Sequence, residues 1–248
     1  MTESGRVYKE LKQDVITCVL SPGLSVSEAE LCSRYQASRT PIREACRKLS
    51  EEGLMQIVPF RGYTVTPLTI EEYRNLYEVQ ASLDPMMAAL AAERATAEQL
   101  KEIEFWASYE YHAGQKSSYY TFLEWNKQFH LAIAAATGNQ VLVEMASNMQ
   151  VRLMRYFYLV IIMDSYGAQL VKEHREIVKA IRSGNAQKAS EQAAEHVTNT
   201  VNRTAAIDVR SATLPAASIA GSAGWLSQSH MKVRPRTKKR AGAKLTSV

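Results

Sequence analysis

The chain has 248 residues, enough for two modest domains that each bury a core, and close to half of those residues are apolar, as in an ordinary globular protein. Its formal charge of +5 is concentrated at one end: residues 231 to 248 hold seven Lys or Arg and no acid, so everything before them sums to −2. A globally basic nucleic-acid binder is therefore excluded, and so is a bilayer span, because no apolar run approaches the ~20 residues that crossing requires.

The start MTESGRVYKELK lacks the apolar stretch of a signal peptide, so the cytoplasm is the expected compartment, with no membrane partner. Val7, Leu11, Val15, Ile16, Val19 and Leu20 have helical spacing, and Ser21-Pro22-Gly23 ends that run with turn chemistry. Ser27 and Glu30 fit a capping box, which predicts a short second helix to about Tyr35. A third helix comes next. Ser38 is a good N-cap, Pro41 sits in the first turn where its missing N–H costs little, and Ile42, Ala45, Cys46 and Leu49 form an inner face ended by Gly53. Cys18, Cys32 and Cys46 all fall in this stretch without CxxC spacing, and they read as buried free thiols.

Beyond Gly53, residues 54–58 and 63–66 read as two short strands joined through Pro59, Arg61 and Gly62. Three helices and a hairpin make a winged helix-turn-helix over residues 1–68. From Leu68 onward the pattern is helical. Helices are expected over 69–94, 96–114, 117–137, 139–161, 165–183 and 185–207, with a kink at Pro85. The fold class is thus mainly α: a winged helix-turn-helix, then an all-helical antiparallel bundle over 69–207. The small, polar and finally basic stretch 208–248 reads as a disordered tail.

On the third helix Thr40, Arg43 and Arg47 project away from the apolar face, and Arg39 sits in its first turn. Such a helix can enter the major groove N-terminus first, with Arg on guanine edges and hydroxyls on phosphate, while Arg61 reaches out from the hairpin tip and Gly62 permits its tight turn. A solvated helix face is the bland alternative. In the helical part Asn126 and His130 are four apart and share one helix face, and His174 and His196 lie on later helices; core histidines and ligands of a divalent metal both remain open. Arg152 and Arg155 lie on a helix from which either could fork onto a carboxylate. Tyr119, Tyr120, Tyr156, Phe157 and Tyr158 read as core or dimer packing.

The run SVSEAELCSRYQASRTPIREACRKLSEEGLMQIVPFRGYTV resembles the winged helix of the GntR family of bacterial transcription regulators, whose hallmark is an S-R-T-P-x-R-E-A helix followed by E-G-L and R-G-x-x-V. The resemblance implies a cytoplasmic homodimeric regulator, read as a repressor. It also implies that Ser38, Arg39, Thr40 and Arg43 carry most operator contacts, with Arg61 and Gly62 adding from the wing. Ala29 stands where a fatty-acid-responsive branch has a further DNA-contacting arginine.

The segments Asn126-x-x-Phe129-His130, His174-x-x-Ile177 and Ala193-x-x-His196 resemble the metal-ligand stretches of the FCD effector domain of the FadR-type subfamily, over roughly residues 72–205. That implies Zn, Ni or Mn on Asn126, His130, His174 and His196, with a small organic, sugar or amino acid effector nearby. Two departures bear on the site. Asn126 replaces the usual aspartate, so metal should bind more weakly and the ion should attract an anion more strongly; Gln80 replaces a common arginine and joins Arg152 and Arg155 as a candidate effector contact. A metal-dependent helical enzyme is the alternative of another class. HExxH, ExxH, Gly-rich phosphate loops and G-x-S-x-G are all missing from the sequence, so no catalysis is expected. A DNA-binding protein with an empty pocket is the third reading.

Overall fold

Thr2 caps the first helix, α1 (Glu3–Ile16), whose Val7, Leu11, Val15 and Ile16 are fully buried. In the computed structural model, which describes residues 1–163 and 166–205, α1 packs against α3 (Arg39–Glu51) through Ile42, Ala45, Cys46 and Leu49. Between them lie a two-residue strand, β1 (Ser25–Val26), and α2 (Glu28–Tyr35), opened by the Ser27/Glu30 capping box. The hairpin β2 (Met55–Val58) and β3 (Gly62–Val65) completes an antiparallel sheet in the order β1-β3-β2, with Val26 opposite Tyr63 and Val58 opposite Gly62.

Two differences from the sequence reading have local causes. Helix α1 stops at Ile16, with Cys18 in the left-handed region (φ 57°), yet Leu20 remains fully buried; its apolar side chain serves the same core from a turn. Strand β1 escapes a periodicity search because two residues cannot show a period. It exists because the hairpin offers it an edge.

The helical part comprises α4 (Ile70–Arg94), α5 (Ala97–Trp106), α6 (Lys116–Ala136), α7 (Gln140–Met163), α8 (Gly167–Arg182) and α9 (Ala186–Ala205). Helix α4 runs unbroken through Pro85 and packs along α9; α6 lies against α7, and α8 against α9. The helix expected over 96–114 ends at Trp106. Aromatic contacts hold the segment between α5 and α6 instead: Tyr109 meets Phe122 and Trp125, and Tyr111 meets Tyr119 and Phe122, at ring-centroid distances of 5.0–5.9 Å. No helix among the described residues is long and apolar enough to cross a membrane. The expected tail from residue 208 lies outside the described residues.

Candidate functional site

The first candidate surface is the outer face of α3. Ser38, Arg39, Thr40, Arg43 and Arg47 are all exposed. Ser38 occupies the N-cap position, but its side chain makes no capping hydrogen bond, so the hydroxyl is not committed to the helix. Arg43 donates to both oxygens of Glu28 at 2.6 and 3.1 Å, Arg39 lies 3.5 Å from the same carboxylate, and Arg47 pairs with Glu51 at 2.8 Å. Glu28, at the start of α2, is thus held below the usual carboxylate range by hydrogen bonding to Arg43.

At the wing tip Arg61 is exposed, and Phe60 is fully exposed with φ 62°. Gly62 has a structural task. Its φ is +106°, and a Cβ there would lie 2.6 Å from the Val26 carbonyl oxygen and 3.0 Å from the Ser27 Cα, so the sheet closes on this residue only if it lacks a side chain.

The second candidate site is in the helical core. His130 on α6, His174 on α8 and His196 on α9 are each 4 % exposed, and one ring nitrogen from each lies within 4.8 Å of the others. His130 Nδ1 is 3.2 Å from Asp84 Oδ2, and His196 Nδ1 is 2.8 Å from Glu173 Oε2. Both Nδ1 atoms are therefore engaged by carboxylates, which leaves each Nε2 for a shared ligand. His174 stacks on Phe129 with ring centroids 4.1 Å apart, and its buried Nε2 has no hydrogen-bond partner. Burial, then the neighbouring His196 and His130, push His174 well below the usual histidine range; burial also lowers His196. Neutral imidazoles with free lone pairs are what a divalent metal takes. Three converging nitrogens, one of them an orphaned buried atom, therefore fit a metal ion.

Glu173 is further clamped by Arg203 at 2.8 and 2.9 Å and by Asn199. Although burial opposes its ionisation, the hydrogen bonds from His196 and Arg203 bring its carboxyl down to about 2. Gln80, Asn126, His130, His196 and Thr200 share a small cavity with Phe157 and Ile161. Its free space is about 10 Å³, room for about one water.

Asn126 is thus beside the histidines, as the sequence reading has it, and so is Gln80. Arg152 and Arg155 line neither cavity that borders His130 and His196. Arg152 Nε donates to Glu72 at 3.0 Å and its side chain covers Gly53, while Tyr156 hydrogen-bonds Glu72 and Thr69 at the head of α4. Arg155 is 2 % exposed, with Nε and Nη2 lacking partners and with the Cys18 thiol near enough to feel its charge. These side chains face the winged helix. Asp84, Glu173 and Arg203 are the residues that sequence reasoning missed. Asp84 comes one helical turn after Gln80, a spacing that was visible. Glu173 adjoins His174 but serves His196, because neighbours on a helix point about 100° apart.

Residues 75–199 match the model of the FCD domain, and residues 3–65 match that of bacterial regulatory proteins of the gntR family. The HTH-type transcriptional repressor RspR of Escherichia coli (strain K12) is 27 % identical over 201 residues, covering 80 % of this chain and 88 % of that protein. Two solved structures share the fold at 19 % identity. Escherichia coli McbR/YncC has a TM-score of 0.65 and covers 83 % of this chain and 98 % of its own. A putative GntR transcriptional regulator from Rhodococcus sp. RHA1 has a TM-score of 0.62, with 83 % and 99 % covered.

Proposed function

The chain belongs to the GntR family of bacterial regulatory proteins and carries an FCD domain, and from that premise we propose that it is a homodimeric, FadR-type transcription repressor governed by a small carboxylate effector. The observation that carries the DNA half is the exposed face of α3, where Ser38, Arg39, Thr40, Arg43 and Arg47 stand free of the core. Arg39 and Arg43 leave Glu28 to fork onto guanine edges, Ser38 and Thr40 meet phosphate, and Arg61 reaches from the wing. One such helix reads only a few base pairs. A two-fold pair reads both halves of a palindrome. The relative RspR is named a repressor, which supports that sign of control.

The effector half rests on the three converging histidines. His130, His174, His196 and Asn126 would hold Zn, Ni or Mn, and the bound cation would supply a positive charge that attracts the carboxylate of an organic, sugar or amino acid. Space for about one water admits no metabolite as it stands, so an effector must push back the lining side chains, which include Phe157 and Ile161 of α7. The same helix carries Arg152 and Tyr156, which hold Glu72 and Thr69, and Arg155, whose charge is felt by the Cys18 thiol. Movement of α7 by effector is therefore felt at the winged helix, the two-state element that allostery requires.

Duplexes selected from a random pool by the untagged protein, then measured by fluorescence anisotropy, test the first half. Selective binding lost in the Arg39→Ala/Arg43→Ala variant is expected, and selection of no shared sequence overturns it. Equilibrium dialysis against zinc, with a panel of organic, sugar and amino acids scored for release of the selected duplex, tests the second. Absence of zinc binding overturns the metal, and absence of any responsive acid overturns effector control.

A further inference from the structure

Asp84 stands behind His130 as Glu173 stands behind His196, but the two carboxylates differ in what balances them. Glu173 receives both arms of Arg203, so its charge is matched. Asp84 has no arginine or lysine partner among the described residues. Its Oδ2 accepts from the Gln80 amide at 2.9 Å and lies 3.2 Å from His130 Nδ1, while Oδ1 is buried without a hydrogen-bond partner. A carboxylate 4 % exposed with one bare oxygen is costly unless positive charge lies close. The place for that charge is across the His130 ring, where the three histidines converge. Asn126, which lines the same space, brings none.

Resting on the metal reading above, we infer that Asp84 is a positioning residue that supplies, through His130, the negative charge that Asn126 does not. The carboxylate fixes the ring with its proton on Nδ1, leaves Nε2 as the donor and strengthens that donor. Partners of this kind change metal affinity ~10- to 100-fold. Gln80 belongs to the same device: its amide orients Asp84, whereas a guanidinium at that position would neutralise it. The two departures seen in the sequence, one removing a positive charge at residue 80 and the other a negative charge at residue 126, thus cancel.

Zinc titrations of the full-length untagged chain against a chromophoric chelator test this, with the metal-free melting midpoint taken for each variant as a control on folding. Asp84→Asn is expected to weaken zinc binding ~10- to 100-fold. Adding Asn126→Asp to that variant recovers most of the loss, and the same change in the wild-type chain gains distinctly less, which a merely structural role for Asp84 does not produce. Gln80→Arg, which leaves Asp84 in place, is expected to weaken zinc as well and keeps the test open if Asp84→Asn fails to fold. Wild-type affinity in Asp84→Asn or in Gln80→Arg, or an equal gain from Asn126→Asp in both backgrounds, overturns the inference. A wild-type chain that binds no zinc overturns the metal reading itself.

Discussion

Replacing Gly62 by alanine asks whether this wing residue is required for the fold or for touching DNA. At φ +106° an L side chain is strained by ~1–3 kcal/mol. The new Cβ would also meet Val26 O at 2.6 Å and Ser27 Cα at 3.0 Å. Both are backbone atoms, which no rotamer change can move, and overpacking of this kind costs ~1–3 kcal/mol more. Against this, alanine restricts the unfolded chain and returns ~0.4–1 kcal/mol. The net loss is about 1–6 kcal/mol, falling on the β1-β3-β2 sheet. Urea denaturation gives the total. Amide hydrogen exchange locates it, with loss of protection at Val26 and Tyr63 expected before any change in α6–α9. DNA binding should fall in step with the folded fraction. A urea midpoint equal to that of the wild type, with DNA binding nevertheless abolished, would refute the steric reasoning and make Gly62 a direct contact.

Three other contacts carry expected outcomes of their own. Arg155→Met removes a buried guanidinium with two unpartnered nitrogens and should stabilise by ~1–4 kcal/mol, seen as a higher melting midpoint; a lower one would mean that an anion pairs with Arg155 in the working protein. Burial pushes the thiols of Cys18 and Cys46 up to about 11 and about 12, so at pH 8 a thiol reagent should titrate only half-buried Cys32 until the protein unfolds. Because these folded values lie above the ordinary 9.0, the contribution to stability is complete below pH 9 and is lost as pH rises toward 11–12, which alkaline urea titrations should show. Glu28→Gln frees Arg39 and Arg43 and removes a negative charge from the DNA-facing surface, so anisotropy should show tighter binding to non-selected duplex; weaker binding would instead make Glu28 a reader of cytosine.

Much of the molecule was legible from the sequence because its signals are local. The α3 motif, its N-cap and the glycine-closed wing each occupy a few consecutive residues, and apolar spacing of three and four residues located every helix of the second part. Errors arose where local signals stop. The helix expected to residue 114 ended at Trp106 because Tyr109 and Tyr111 find aromatic partners on another helix. Arg152 and Arg155 share a helix with the cavity-lining Phe157 and Ile161, yet they point toward the winged helix, since at about 100° per residue offsets of two, five, six and nine positions each turn the side chain by about 120° or more.

By itself, then, the sequence determined the two kinds of architecture, the family, the cationic face of α3 and the histidines at residues 130, 174 and 196, all properties of residue type at short spacing. Only the tertiary structure decided that Asp84 lies behind His130 and Glu173 behind His196, and that Arg155 is buried where the Cys18 thiol feels its charge. Those pairings depend on the register between α4 and α6 and between α8 and α9. Register is set by how whole helix faces pack, and it leaves no trace in the spacing along one strand of sequence.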